Sequence, residues 1–113
     1  MKTYCLALDL VNDPLLIKEY EQYHQKIWPE ISASIRNSGI RGMRIFRVEN
    51  RLMMIMTVED DFSFEKKNAM DSGNAKVLEW EQLMWKYQSA LPGSKPGEKW
   101  RLMNLIFDLD VNG

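Results

Sequence analysis

Along the opening residues the apolar side chains alternate. Tyr4, Leu6, Leu8 and Leu10 share one face of Thr3–Val11 (TYCLALDLV), the two-residue period of a strand. Asn12-Asp13-Pro14 follows, a helix cap with proline at the first helical position, where its missing N–H has no partner to lose. Leu16, Tyr20, Tyr23, Ile27 and Ile31 then recur at three and four residues, a helical stripe. Pro29 interrupts that stripe and predicts a kink or a second helix starting at Pro29, with Ser38-Gly39 as its end. Gly42–Val48 (GMRIFRV) and Leu52–Val58 (LMMIMTV) flank Glu49-Asn50-Arg51 and predict a hairpin. A short helix over Ser63–Ala69 comes next, then a longer one over Asn74–Ser89, in which Val77, Trp80, Met84 and Tyr87 carry the helical spacing. Leu91–Gly97 is a turn-rich loop. In Arg101–Leu109 (RLMNLIFDL), Leu102, Asn104, Ile106 and Asp108 alternate with Met103, Leu105, Phe107 and Leu109, predicting a last strand.

The order β-α-β-β-α-β predicts an α+β fold of the ferredoxin-like kind, four antiparallel strands with helices on one face. The other face is not polar. On Leu52–Val58 both alternating sets, Leu52/Met54/Met56/Val58 and Met53/Ile55/Thr57, are mainly apolar, whereas a sheet with one wet face alternates cleanly. No segment remains to cover that face, so the pattern predicts a homodimer in which two sheets pair. The chain reads as one domain over 1–113, without internal repeats.

Composition narrows what such a fold does. At 45% apolar and 27% charged, the chain is neither disordered nor collagen-like. Net charge is −1 with both signs mixed, and no basic run marks a nucleic-acid binder. The first apolar run is broken by Asp9 and too short to span a bilayer, which predicts no membrane attachment. Cys5 stands alone and forms no internal disulfide, in keeping with a reducing, cytoplasmic setting. One histidine and one cysteine exclude a His/Cys metal cluster, and neither a Gly-rich phosphate loop nor a nucleophile elbow is present. Eight methionines suit irregular core gaps, while four tryptophans are rings that often line pockets.

Glu19–Glu30 (EYEQYHQKIWPE) holds the chain's only histidine among rings. Residues four apart share a helix face, so Tyr20, His24 and Trp28 form one stripe beside Tyr23 and Ile27. Three roles fit it. His24 is an inert histidine on a buried face, or a haem ligand on a dimeric ferredoxin-like scaffold, or a general acid–base on a carbohydrate. Aromatic faces pack on the C–H surface of a pyranose, and an imidazole titrating near 6.5 gives and takes protons at neutral pH.

Tyr20-x-x-x-His24 followed by Ile27-Trp28-Pro29-Glu30, with Trp85-Lys86-Tyr87 later, resembles the signature of the L-rhamnose mutarotases. The similarity runs from Tyr4 to about Leu109, with elements in the same order. YxxxHxxIWPE is the specific part; WKY alone is weak. The resemblance implies a dimeric α+β barrel that interconverts the α and β anomers of a deoxy-sugar pyranose without cofactor or metal. It implies a pocket using a tyrosine and a histidine four residues on, here Tyr20 and His24. A further strand tyrosine of the family falls at Met43, and a tryptophan pair at Met84-Trp85, so only Trp85 is kept. On this reading His24 moves the proton, and Tyr20 orients it or binds the sugar. Trp28 and Trp85 would form an apolar wall for a C6 methyl, with Met43 and Met84 altering the rest of that wall. The monosaccharide is L-rhamnose or, since relatives of this type also resemble fucose mutarotases, L-fucose. A haem-binding dimer, or a small-molecule sensor with an inert His24, are the readings from other classes.

Overall fold

The computed structural model describes residues Met1–Gly113. Strand β1 (Lys2–Leu10) lies inside the sheet and β3 (Arg51–Val58) runs antiparallel along it, from Lys2 opposite Val58 to Asp9 opposite Arg51. On the far side of β3 lies β2 (Ile40–Val48), joined to it by a tight turn in which Glu49 takes a positive φ of 52°. A bulge at Arg41 separates the pairs Ile40–Val58 and Gly42–Thr57. Two short strands, β4 (Gln88–Ser89) and β5 (Arg101–Leu102), pair with the other edge of β1. This is the ferredoxin-like α+β fold class of the dimeric α+β barrels, as the element order predicts.

Local chemistry fixes the helices. In α1 (Pro14–Gln25) the Asp13 carboxylate caps the start, accepting from the Leu15 and Leu16 amides at 2.9 and 3.2 Å. Pro29 divides the stripe as expected, and α2 (Pro29–Asn37) begins on it. Gly39, at φ 96°, then makes the left-handed turn into β2. Ser63 caps α3 (Phe64–Ser72) and Asn74 caps α4 (Ala75–Trp85). Buried Asp71 ties α2 to α3, accepting from Ser34 Oγ at 3.2 Å and pairing with Lys67.

Helices and sheet close on one core. Leu10 and Leu52 from the strands meet Tyr20, Ile31, Val77, Trp80, Met84 and Tyr87 from the helical layer. A second group, Leu6, Ile40, Met54, Met56 and Val58, continues it toward Tyr4, Phe62 and Phe64. On β3 the alternation is clean: Leu52, Met54, Met56 and Val58 are buried under the helices, while Met53, Ile55 and Thr57 lie half-buried on the open face.

Two predicted elements are corrected. The helix predicted over Asn74–Ser89 ends at Trp85, because Lys86 and Tyr87 turn back onto the Leu83 and Met84 carbonyls and Tyr87 O accepts from Val11 N at 2.8 Å. Pairing with β1 thus converts Gln88-Ser89 to strand against their helical pattern. The strand predicted over Arg101–Leu109 pairs only at Arg101–Leu102, with one further bond from Met103 N to Cys5 O. Beyond that point no strand of the chain lies beside it, and Asp108 caps a short helix, α5 (Leu109–Asn112).

Leu8 is fully buried at the centre of the sheet and Leu15 is mostly exposed at the start of α1. Leu8→Ala is therefore expected to lower the unfolding free energy by about 2–5 kcal/mol. Leu15→Ala should change it by no more than about 0.5 kcal/mol. Chemical denaturation of the two variants checks the difference.

Candidate active site

His24 sits in the last turn of α1, just before the chain turns toward Pro29. Its Nδ1 lies 2.8 Å from the Tyr20 carbonyl oxygen. A carbonyl only accepts, so Nδ1 carries the proton and Nε2 keeps its lone pair. Burial lowers the imidazole pKa below 6.5, outweighing the Tyr20 carbonyl, which acts in the opposite sense. At neutral pH His24 is thus a neutral imidazole with Nε2 as a base.

Rings hold it there. Tyr20 stacks on the imidazole with centroids 4.3 Å apart, and Trp80 meets it edge-on at 5.6 Å. Trp28, at the cap of α2, packs edge-on against Trp80 at 5.0 Å, with Lys76 Nζ 5.8 Å from its centroid. Tyr20 is buried behind His24, its hydroxyl 3.5 Å from Gln88 Nε2. Burial raises the Tyr20 pKa above 10.0, against the smaller opposing effect of Gln88, so the phenol stays protonated.

In front of His24 a cleft of about 430 Å³ opens between the end of α1, α2 and β2. Ile27, Ile35 and Met43 give it apolar walls, and Arg36 and Arg41 also line it. Arg41 is held by Glu59 at 2.7 Å and by the Arg36 carbonyl at 3.0 Å, which fixes its direction. A cleft of this size, lined by both apolar and polar side chains, has the dimensions of a small-ligand site.

The predicted site residues separate into groups. His24 and Met43 line the cleft, while Tyr20 stacks on His24 and Trp28 packs on Trp80, neither of them lining it. Met84 instead lies in the core, and Trp85, at the end of α4, is 39% exposed with Lys99 Nζ 4.4 Å from its ring centroid. Neither lines the cleft. Trp80, on the helical stripe of α4, packs in the core, and its ring partners include the histidine. Arg36 and Arg41 were missed: Arg41 takes its place through the bulge, and nothing in the local pattern announces a bulge.

The chain matches the family model described as L-rhamnose mutarotase over residues 3–109. It is 47% identical over 111 residues to a protein of Xanthomonas campestris pv. campestris named L-fucose mutarotase, covering 96% of this chain and 89% of that one. It is 30% identical over 93 residues to an L-rhamnose mutarotase of Paraburkholderia phymatum, covering 80% of this chain and 79% of that one. Among solved structures, the L-rhamnose mutarotase of Formosa agariphila superposes with a TM-score of 0.71 at 18% identity, over 96% of this chain and 99% of that one. Tetracenomycin F2 cyclase of Streptomyces glaucescens follows with a TM-score of 0.64 at 12% identity, over 96% and 98%, a likeness of fold alone. With the family signature, the fold and the histidine cleft in agreement, this chain belongs to the L-rhamnose mutarotase family.

Proposed function

We propose that the chain interconverts the α and β anomers of L-fucose, with L-rhamnose as the second candidate, by acid–base ring opening and closure. The observation that carries the chemistry is His24 beside the cleft, its Nδ1 tied down and its Nε2 lone pair unengaged. The choice of L-fucose rests on the 47% identity to the Xanthomonas protein of that name, against 30% to the Paraburkholderia L-rhamnose enzyme. The family model, described by L-rhamnose, keeps that sugar in view. Met43 in the cleft, where the family signature has a ring, agrees with an altered sugar wall.

The reaction asks little of the protein. Nε2 of His24 takes the proton from the anomeric hydroxyl as the C1–O5 bond breaks, while a second proton carrier, a solvent water, gives a proton to O5 and recovers it on ring closure. C1 becomes an aldehyde, rotates about C1–C2, and O5 attacks its other face while losing its proton. The imidazolium then returns its proton to O1. Atoms and electrons balance without net redox change, so no cofactor is called for. Tyr20 acts from behind, stacking on the imidazole and offering the carbonyl that sets its tautomer. Trp28 supports Trp80. Arg36 and Arg41 are placed to bind sugar hydroxyls. Met84 and Trp85 would shape the site only from outside the cleft. The residues 1–113 work as one mutarotase-like domain in a cytoplasmic homodimer. The dimer is supported by the half-buried apolar face of Met53 and Ile55. No helix is long and apolar enough to cross a membrane.

His24→Ala is expected to abolish catalysed anomer exchange of L-fucose, followed by saturation-transfer NMR, while circular dichroism stays native. Full exchange in that variant would refute the assignment. Met43→Tyr should raise the ratio of L-rhamnose to L-fucose exchange in the same assay.

The pH dependence has a definite sign. The folded-state pKa of His24 lies below its unfolded value near 6.5, so the stability it contributes is complete above 6.5 and is lost as pH falls through the folded value. The unfolding free energy of the wild type should therefore drop more between about pH 7 and pH 5 than that of His24→Gln. Exchange should fall on the same acid limb, with a midpoint below 6.5 set by loss of the free base.

A further inference from the structure

Gln88 is a polar side chain at a core position. It pairs with Leu10 across β4 and β1, which points both side chains into the helical layer, toward Tyr20, Val77 and Met84. Gln88 is 8% exposed, and its Nε2 lies 3.5 Å from the Tyr20 hydroxyl, the one hydrogen-bond partner that hydroxyl has. Its Oε1 is buried without any partner. A buried amide with an unmet oxygen lowers stability, and a leucine or methionine at this position would not carry that cost. Such departures from good packing gather where a fold serves chemistry.

This one lies directly behind the histidine. Tyr20 meets His24 twice: its carbonyl oxygen accepts from Nδ1 at 2.8 Å, and its ring stacks on the imidazole at 4.3 Å. The helix fixes the carbonyl, whereas the ring contact depends on where the side chain points. Tyr20 is 3% exposed, so a phenol deprived of Gln88 would be buried without a partner and would turn toward water. A ring that turns away no longer covers the imidazole. Neither Gln88 nor Tyr20 lines the cleft, so the reach of Gln88 to the chemistry runs through that ring.

We propose that Gln88 is a positioning residue for the anomer exchange: its amide anchors the Tyr20 hydroxyl and thereby holds the phenol ring stacked on His24. The strand that carries Gln88 fits this use. Pairing with β1 overrides the helical pattern of Asn74–Ser89 and delivers the amide to Tyr20 of α1. What α4 brings to the imidazole is the uncharged ring of Trp80. The titratable and charged groups around it are Tyr20 on its own helix and, lining the same cleft, Arg36 of α2 and Arg41 of β2. Tyr87, 6.1 Å from Tyr20 between centroids, gives its hydroxyl hydrogen to Glu19 instead. Exchanging the neutral Gln88 for another neutral side chain therefore reaches His24 through the Tyr20 ring and not through a charge.

This rests on the mutarotase reading for its rate readout and is independent of it for its titration readout. His24 is the chain's only histidine, so its imidazole resonances in an NMR titration belong to no other residue. In Gln88→Met, with circular dichroism native, the His24 midpoint should rise toward 6.5 as the imidazole loses cover. The turnover rate of L-fucose exchange should fall about tenfold, with KM within about twofold of the wild type. Tyr20→Phe/Gln88→Met should exchange no more slowly than Gln88→Met alone, because the hydroxyl left without an anchor is then gone. An unmoved midpoint, a full turnover rate or losses that add would each overturn the proposal. A raised KM would overturn it too, marking Gln88 as a sugar contact. Should Gln88→Met fail to fold, Gln88→Asn, which draws the amide back by one methylene, is judged by the same measurements. If wild-type protein exchanged no sugar anomers, the mutarotase reading would fall while the titration still decided whether Gln88 holds the ring on His24.

Discussion

The cleft exists because a proline cannot sit inside a helix. Pro14–Asn37 as one uninterrupted helix would measure about 36 Å and overrun strands of eight or nine residues, which extend about 30 Å. Pro29 has no N–H to give and excludes the helical conformation from Trp28, whose ψ is 140°. The chain therefore turns, and α2 comes back over the sheet with Ile31 buried and Ile35 beside the second core group. Lys26–Trp28 connect the end of α1 to the start of α2. His24 and Gln25 from the end of α1 and Ile27 from the break, with Ser32, Ile35 and Arg36 from α2, line the cleft.

The same break determines the state of the histidine. Placed in a last helical turn, His24 reaches the Tyr20 carbonyl one turn back with its side chain, which settles the tautomer before any ligand arrives. Core packing supplies the second condition. Trp80 is buried for the sake of the helix–sheet contact, yet its ring also screens the imidazole from water, and that burial keeps His24 neutral. Stability and chemistry thus draw on one ring cluster. A substitution at Trp80 would be felt in both, while Arg41, tied to Glu59 at the cleft, stands outside that cluster.

Much of this was legible from residue spacing. Pro14 after Asp13, Pro29 inside a helical stripe and Gly39 at its end each carry a backbone constraint that acts locally, and each appears where the pattern puts it. The stripe Tyr20, His24, Trp28 was readable for the same reason. What escaped depends on tertiary pairing. Gln88-Ser89 carry a helical pattern but are claimed by β1, and Arg41 enters the cleft through a bulge that only the register with β3 reveals. Met84 and Trp85 show the limit of neighbours in sequence: one turns into the core and the other to the surface, and neither reaches the cleft. Arg101–Leu109 is a different case. Alternation specifies which side chains lie together, and it is silent on whose edge the strand joins.

Burial behind the imidazole bears on rate as well as on stability. Water by itself opens and closes a pyranose ring, serving as acid and base in turn, so a mutarotase gains little by merely offering a proton carrier. It gains by holding the anomeric hydroxyl against one neutral imidazole and by letting the developing charges meet fixed groups where water does not screen them. A coulombic contact of a given length is worth several times more at the effective dielectric of a protein site than in bulk water. The cleft is lined by residues of α1, α2 and β2 and of the α1–α2 connection. An imidazole already kept neutral by buried rings behind it needs an equally dry wall in front to use that neutrality.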